Sequence, residues 1–318
     1  MAFNRMLIMI VAWVSATIFL PGIQQNTVPR PPKLFDPPLS PRIANYEIWV
    51  DYDPAKRLLN AREVLTWFNR SPDPVSDLHF HLYLNAFRNS RSTFALESRD
   101  ERKDGWGFCE ISRVELTSEP FHVAGNGDGG WSAEFPLNQD PVLDRRLESR
   151  AEFIQPDDYN TDDRTVLRLP LPGRLEPEQG IQLEIEFQAV LPTPPDERTG
   201  VMGEFVFAGQ WFPKIGVWQN GAWNCHQFHA HSEFFADYGV YDVHIRVPSE
   251  YIVGATGQEY FREDGDDGTT LHHYHAEDVH DFAWTGSPEF LEFTGKAQQV
   301  EIRALVQPDH ASQGPRHI

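Results

Sequence analysis

A strict alternation of apolar and polar residues recurs along this chain and restricts it to a fold of half-buried strands. Tyr46, Ile48, Val50 and Tyr52 carry the apolar face of the first such segment, and polar residues separate them. Because successive side chains of a strand point to opposite faces, this period of two predicts a strand with one buried face. The same pattern is found in residues 46–52, 78–84, 181–187, 241–247 and 300–304.

Turn-forming residues separate the alternating segments, and helical periodicity is absent after residue 26. Glycine, proline, asparagine and aspartate, the residues that supply turn conformations, are concentrated in residues 125–131, 155–163, 191–200 and 263–268. Helices are therefore expected to be short and few. We predict an all-β fold, a large twisted antiparallel saddle or sandwich, over residues 45–297.

The N-terminal residues follow the pattern of a targeting segment. Arg5 precedes an apolar run over residues 6–20, and a proline-rich stretch follows at 29–42. This pattern predicts a signal peptide or a retained membrane anchor over residues 1–26, and both alternatives remain open. Residues 27–44 are predicted to be a linker. The chain is thus expected to be exported, as a periplasmic, secreted or membrane-anchored protein that meets the membrane only through this segment.

Charge and cysteine content exclude some partners. The 318 residues hold 27 Lys and Arg against 47 Asp and Glu, a formal net charge of -20. Nucleic acid, a polyanion, is therefore not expected as a partner. The two cysteines, Cys109 and Cys225, lack CxxC spacing, so they predict no zinc ribbon and either form one bridge or stay free.

Thirteen histidines raise the question of a metal site. His229 and His231, and likewise His273 and His275, have the spacing at which two imidazoles share one strand face, and Glu233 would add a carboxylate. The alternative, which we favour, is that they are polar-face or hydrogen-bonded core residues. The sequence has no HExxH, no GxSxG and no phosphate-binding GxxxxGK[ST], so we assign no catalytic and no metal-ligating residue.

Three groups of segments resemble the front part of bacterial aminopeptidase N-like zinc metallopeptidases. They are SPDPVSDLHFHLYLNAF (71–87), GQWFPKIGVW (209–218), and FFADYGVYDVHIRVPSEYIVGATG (234–257) followed by HAEDVHDFAW (275–284). The most specific elements are the aromatic-proline pair Phe212 and Pro213 and the HDFAW motif that begins at His280.

The resemblance implies an N-terminal β-saddle domain that precedes a catalytic domain carrying HExxH and zinc. Residues 298–318 would be the start of that missing catalytic domain. Zinc is thus expected in the full-length enzyme and none in this chain, which we predict to be inactive alone. The implied partners are peptide N-termini, held through the full-length enzyme, and the missing catalytic domain.

The same resemblance implies one substrate-binding residue. In the family, the saddle domain presents a Gln or Glu that receives the α-ammonium group of the substrate, eight residues before the Phe of the Phe-Pro element. That position is Glu204 here, and Gln210 is the alternative if a loop differs in length. The aromatic residues of GQWFP and HDFAW are expected to pack at the interdomain surface and to be exposed in this chain.

Two other functions fit the sequence. One is a stand-alone exported β-sandwich binding module, which a genuine stop codon after Ile318 would support. The other is a small metalloprotein that uses the histidine cluster, which predicts stoichiometric zinc in purified material.

Overall fold

The computed structural model describes residues 28–99, 102–118, 120–122 and 145–318. The regular structure of these residues is mostly β-strand, which confirms the all-β prediction. The described residues also contain one six-residue α-helix, α1 (Thr93–Ser98), and 3-10 turns at Tyr83–Phe87, Glu148–Arg150 and Pro308–Arg316. The described strands are β1 (Ala44–Asp53), β2 (Leu58–Phe68), β3 (Val75–His81), β4 (Phe108–Leu116), β5 (Phe121–His122), β6 (Glu152–Phe153), β7 (Val166–Leu175), β8 (Gln179–Val190), β9 (Gly200–Met202), β10 (Phe205–Ala208), β11 (Lys214–Ile215), β12 (Val217–Gln219), β13 (Ala222–Asn224), β14 (Gly239–Pro248), β15 (Ile252–Ala255), β16 (Gln258–Asp264), β17 (Thr269–Val279), β18 (Trp284–Ser287), β19 (Leu291–Ala297) and β20 (Val300–Val306). The predicted leader (1–26) and the glycine-rich loop at 125–131 lie outside the described residues.

Three sheets form the body of the domain. The largest has the order β16-β17-β14-β1-β2-β8-β4, and β5 also pairs with β8. Two four-stranded sheets have the orders β15-β18-β10-β9 and β11-β3-β7-β6, while β12-β13 and β19-β20 are hairpins. In the large sheet, β1 and β14 are parallel and the other pairs are antiparallel. Parallel pairing of strands nearly two hundred positions apart brings distant sequence segments together.

The core lies where the two smaller sheets pack against the large one. The apolar positions of β1 predicted from the alternation, such as Tyr46 and Ile48, are buried. Tyr46 reaches β11, because its hydroxyl accepts a hydrogen bond from the Ile215 amide at 3.0 Å. Tyr52 meets Trp284 of β18 edge to face, with ring centroids 5.7 Å apart. One continuous apolar cluster therefore joins all three sheets.

The structure adjusts one predicted strand. Residues 78–84 were expected to continue as a strand, but β3 ends at His81 and a 3-10 turn follows. The Leu82 amide leaves the ladder and donates to the Thr165 carbonyl oxygen at 2.8 Å. Leu84 is nevertheless buried, as the alternation predicts, because the turn folds back onto the core.

The proline-rich segment is held against the domain. The Phe35 amide donates to Glu277 at 2.8 Å, and Ser40 hydroxyl donates to Asp278 at 2.5 Å. Arg42 pairs with both carboxylates at 2.7 and 2.8 Å and is almost fully buried. The described residues from 31 onward belong to one compact unit, so the segment predicted as a linker is docked from residue 31 onward.

The predicted domain boundary at residue 297 falls at the turn of the β19–β20 hairpin, which spans residues 291–306. The boundary itself stays a prediction. Cys109 and Cys225 are both free and buried. In the described part of the chain, no helix has the length and apolar character needed to cross a membrane.

Candidate functional site

Side chains from distant sequence segments form a closed ring of hydrogen bonds. Lys214 Nζ donates to Gln210 Oε1 at 2.9 Å and pairs with Asp281 Oδ1 at 2.5 Å. Gln210 Nε2 donates to the other oxygen of Asp281. Gln210 and Lys214 belong to GQWFPKIGVW, and Asp281 belongs to HDFAW. The ring therefore joins two motifs that lie about seventy positions apart.

Local backbone geometry fixes the ring. Gln210 has a left-handed φ of 54°, which turns the chain from β10 into β11. The preceding Gly209 passes so close to its neighbour that a Cβ there would lie 2.3 Å from the Arg198 carbonyl oxygen. The Trp211 indole donates to the Phe282 carbonyl oxygen at 3.1 Å. Only glycine fits at position 209, so close to Arg198. The Trp211 hydrogen bond holds the turn against the HDFAW segment.

The charge on Lys214 is buried with a single counter-ion. The side chain is 1% exposed. Burial lowers the pKa of Lys214, and the charge of Asp281 and its hydrogen bond oppose that shift. Asp281 is itself partly exposed, with 22% of its side chain accessible. A buried ammonium group without a carboxylate is strongly destabilising, so Asp281 is fixed in place by the lysine.

A neutral imidazole borders the lysine. His81 pairs across the ladder with Lys214 and is almost completely buried. Burial, and then the positive charge of Lys214, lower the pKa of His81 to about 3. Within the described residues neither ring nitrogen has a hydrogen-bond partner, and the ring stacks on Tyr83 with centroids 4.4 Å apart. His81 therefore brings the 71–87 segment to the same place.

The fourth segment contributes a buried tyrosine. Tyr241 of β14 lies beside Tyr46 in the parallel register, and the two rings stack with centroids 4.8 Å apart. On its other side the Tyr241 ring stacks on Phe282 at 6.3 Å. The Tyr241 hydroxyl lies within electrostatic range of Asp281, the carboxylate of the ring. It has no hydrogen-bond partner among the described residues, and burial raises its pKa.

The two predicted substrate-binding residues lie in different surroundings. Glu204 is exposed at the turn between β9 and β10, and Gln210 is buried beyond the far end of β10. Only Gln210 belongs to the ring. The role of Glu204 stays a prediction, but the structure gives it no hydrogen bond or ion pair within the described residues.

The aromatic residues of the motifs are not exposed, so that expectation was wrong. Trp211, Phe212, Phe282 and Trp284 are each at most 1% accessible. They fill the space between the large sheet and the smaller sheets of this same domain, where aromatic side chains bury the most area. Sequence reasoning also missed Lys214. A single charged residue inside the apolar run WFPKIGVW was the signal, since a lysine there must be paired.

One predicted histidine pair lies on β17. His273 and His275 share the sheet face opposite Tyr274, as their spacing predicted. His273 Nδ1 lies 2.7 Å from His244 Nδ1, while His275 Nδ1 lies 2.6 Å from Asp242. His275 Nε2 also lies 3.3 Å from Glu277, so the two histidines have separate partners and do not converge on one point.

The other histidine pair is divided as well. His229 contacts Glu97 at 2.8 Å and Asp157 at 3.2 Å, and His231 is exposed. In the part of the chain that the structure describes, no group of three or more His, Cys, Asp and Glu is arranged to hold a metal ion.

Comparison with known proteins gives structural similarities alone. No model of a protein family and no curated protein matches this sequence. The M1 zinc metallopeptidase of Deinococcus radiodurans matches with 12% identity, a TM-score of 0.47, and coverage of 85% of this chain and 49% of that chain. A mutant of that enzyme matches with 13% identity, a TM-score of 0.48 and the same coverage.

A third structure, the mutant bound to a Tyr-Ser-Ala substrate, matches with 12% identity and a TM-score of 0.45, over 83% of this chain and 47% of that chain. The chain thus spans about half the length of the structures it matches. These structural neighbours are M1 zinc metallopeptidases, and the similarity by itself assigns no activity to this chain.

Proposed function

We propose that this chain is the N-terminal, substrate-side β domain of an exported zinc-dependent aminopeptidase, which holds the free amino end of a peptide. The observation that carries the proposal is the convergence of the motif segments. Gln210 and Lys214, Asp281, His81 and Tyr241 come from four segments of the resemblance and meet around one buried ion pair. Packing alone would not require an amide, an ammonium and a carboxylate at this point, since a buried ion pair is seldom a net gain in stability.

The ring supplies what an amine-binding surface needs. Gln210 is immobilised at both ends of its amide, which removes the entropy cost of ordering it on binding. Asp281 keeps part of its carboxylate accessible beside it. Hydrogen bonds from an ammonium group to a carboxylate are charge-assisted and about twice as strong as neutral ones. The rigid ring thus supports the role proposed for Gln210 more directly than the exposed position of Glu204 supports its own.

Under this proposal the zinc ligands that the family implies come from outside these residues. The 318 residues contain no HExxH, and the described ones offer no alternative group of three ligands. Under this proposal the metal and its activated water belong to a catalytic domain encoded downstream. No chemical step is assigned to the present residues, which bind and orient.

The deciding experiment is to sequence the gene beyond codon 318 and to express the complete product. We expect an in-frame HExxH and hydrolysis of alanine p-nitroanilide that a zinc chelator abolishes. The 318-residue chain, purified in parallel, is expected to show no turnover with or without zinc. A stop codon directly after Ile318 would contradict the proposal and leave the stand-alone binding module.

A further inference from the structure

Lys214 holds an amine against a side-chain amide in the interior of the domain. Its Nζ lies 2.9 Å from Gln210 Oε1 and 2.5 Å from Asp281 Oδ1. Gln210 Nε2 donates to the other carboxylate oxygen of Asp281. The amine, the amide and the carboxylate are therefore each in hydrogen-bond contact with the other two. An amine nucleophile, a carbonyl group and a base are the groups that amide exchange requires.

The fold fixes the amine and the amide relative to each other. Gln210 and Lys214 are four positions apart, at the two ends of the turn that leads into β11. The left-handed backbone of Gln210 begins this turn, and the pairing of Lys214 with His81 on β3 ends it. Trp211 and Phe212 between them are at most 1% accessible. Two groups held in contact in this way react as if at very high concentration, because folding has already removed their freedom to separate.

Burial makes Lys214 a better nucleophile than a surface lysine. Only a neutral amine can attack a carbonyl carbon, because an ammonium group has no free electron pair. The side chain is 1% exposed, and burial lowers its pKa while the charge of Asp281 opposes that shift. The ring centroids of Phe212 and Tyr83 lie 5.3 and 6.0 Å from Nζ. These rings keep water, the competing nucleophile, away from the amine.

Amide exchange at this place would also remove a buried charge. The ammonium group of Lys214 has Asp281 as its counter-ion, and a buried ion pair is seldom a net gain in stability. A secondary amide between Lys214 and Gln210 is neutral, and the released ammonia leaves the interior as an ammonium ion. Asp281 then has no cation, but 22% of its side chain is accessible and can be hydrated. The reaction therefore moves one positive charge from the core to water.

We propose that the ring is a site of self-modification, at which Lys214 and Gln210 form an intramolecular isopeptide bond. Asp281 first accepts one proton from the ammonium group. The neutral Nζ then attacks Gln210 Cδ, and Asp281 passes a second proton from the attacking nitrogen to Nε2. The bond between Cδ and Nε2 breaks, and ammonia leaves with the first proton as an ammonium ion, so that Asp281 is again a carboxylate.

This inference goes beyond the proposed function, which assigns these residues no chemical step. The reaction needs no peptide, no zinc and no catalytic domain, and its readout is the mass of this chain. Absence of the bond would therefore leave the peptidase proposal unaffected, and absence of peptidase activity would leave the bond unaffected.

Trypsin reports the bond directly, because it does not cleave after a lysine whose Nζ is acylated. Unmodified chain gives the tryptic fragments 199–214 and 215–246. We expect the purified full chain, incubated at pH 8, denatured and then digested, to give the single fragment 199–246, lighter than its sequence mass by one ammonia. Complete cleavage after Lys214 would overturn the proposal.

Fragment ions are expected to locate the lost ammonia within residues 210–214. A loss located at Asn220 and Gly221, where an asparagine can cyclise onto the next amide, would contradict the assignment. A loss of water that joins fragment 199–246 to fragment 263–296, which contains Asp281, would reject Gln210 as the carbonyl partner.

Two variants and one internal control test the roles of the three groups. Lys214→Arg keeps the charge but replaces the amine with a guanidinium group that stays protonated, so it is expected to lose no ammonia. Asp281→Asn removes the base and is expected to slow the loss at least about tenfold. Lys296 and Gln298, exposed and two positions apart, are the control and should stay unmodified. An unchanged rate in Asp281→Asn, or an equal loss at Lys296, would contradict the proposal. If neither variant folds, the digest of the wild-type chain decides.

Discussion

Glu63 carries a carboxyl group into the apolar core. It lies on β2 between Ile48 of β1 and Ile185 of β8, and it is 0% accessible. Among the described residues neither of its oxygens has a hydrogen-bond partner. Burial raises its pKa well above the ordinary value of 4.5, because an isolated charge in this environment is costly. The folded protein therefore keeps Glu63 protonated.

The stability of the protein should fall with pH because of this residue. Above pH 4.5 the unfolded chain ionises at Glu63 while the folded chain stays protonated. Stability is then lost at about 1.4 kcal/mol per pH unit until the folded-state pKa is reached. Glu63→Gln removes this loss. The free energy of unfolding of the variant, measured with urea at pH 5, 6 and 7, should therefore exceed that of the wild type by an amount that grows with pH. The exposed Glu301→Gln is the control, and a constant difference across the three pH values would contradict the argument.

Gln210 and Glu204 are distinguished by their surroundings, and the complete enzyme can compare them. Gln210→Ala should lower kcat/KM for free-amine peptides by roughly 10- to 100-fold, the cost of a lost hydrogen bond to a charged group. Glu204→Ala should change it less than about threefold, because Glu204 lies at an exposed hairpin turn. Melting curves of both variants check that each is folded. A larger loss of kcat/KM for Glu204→Ala than for Gln210→Ala would assign the binding of the substrate's α-ammonium group to Glu204.

At the scale of elements, the coil of residues 225–238 is held to α1 by a histidine. His229 bridges Glu97 of α1 and Asp157. The same coil packs Phe234 against Tyr83, with ring centroids 4.8 Å apart. The centroid of the Tyr83 ring in turn lies 6.0 Å from Lys214 Nζ. The histidine bridge therefore supports one wall of the candidate site.

This bridge should stabilise the protein only within a limited pH range. Burial opposes protonation of His229, but its bonds to Glu97 and Asp157 prevail and raise its pKa above 6.5. The contribution of His229 to the stability of the folded protein is present below pH 6.5 and is lost as the pH rises through its raised folded-state pKa. The pKa values of Glu97 and Asp157 are lowered despite burial. The stability that these two carboxylates contribute is therefore fully present above pH 4.5 and is lost in stronger acid.

His229→Gln should therefore lower the melting temperature at pH 5.5 and change it little at pH 8.5. The comparison variant is His317→Gln, at an exposed position near the C-terminus. An equal loss at both pH values would indicate that His229 acts through packing and not through its charge.

At the scale of the whole molecule, the sequence predicts export through residues 1–26, and this stays a prediction. A fusion of residues 1–45 to a reporter that works only outside the cytoplasm should be active. Deletion of residues 6–20, the apolar run, should silence it, since the apolar run of a signal peptide is what drives membrane targeting. The mass of the product distinguishes a cleaved signal from a retained anchor, and a silent intact fusion would contradict export.

The sequence by itself determined the all-β class and the positions of five of the described strands, β1, β3, β8, β14 and β20. Period two is a local property, so Tyr46, Ile48 and Val50 indicate their buried face without knowledge of their neighbours. The prediction from local alternation failed where a long-range hydrogen bond determines the backbone course. β3 stops at His81 because the Leu82 amide finds the Thr165 carbonyl, a partner more than eighty positions away.

Only the tertiary structure decided which polar residues meet. Nothing in the local pattern of Lys214 or Asp281 announces that they pair, because their contact follows from how the sheets pack on each other. The role of Glu204, inferred by counting residues, stays a prediction, while the left-handed turn at Gln210 directs that amide toward Lys214 and Asp281. Strand pairing is non-local, so the chemistry of the ring is a property of the fold and not of any one segment.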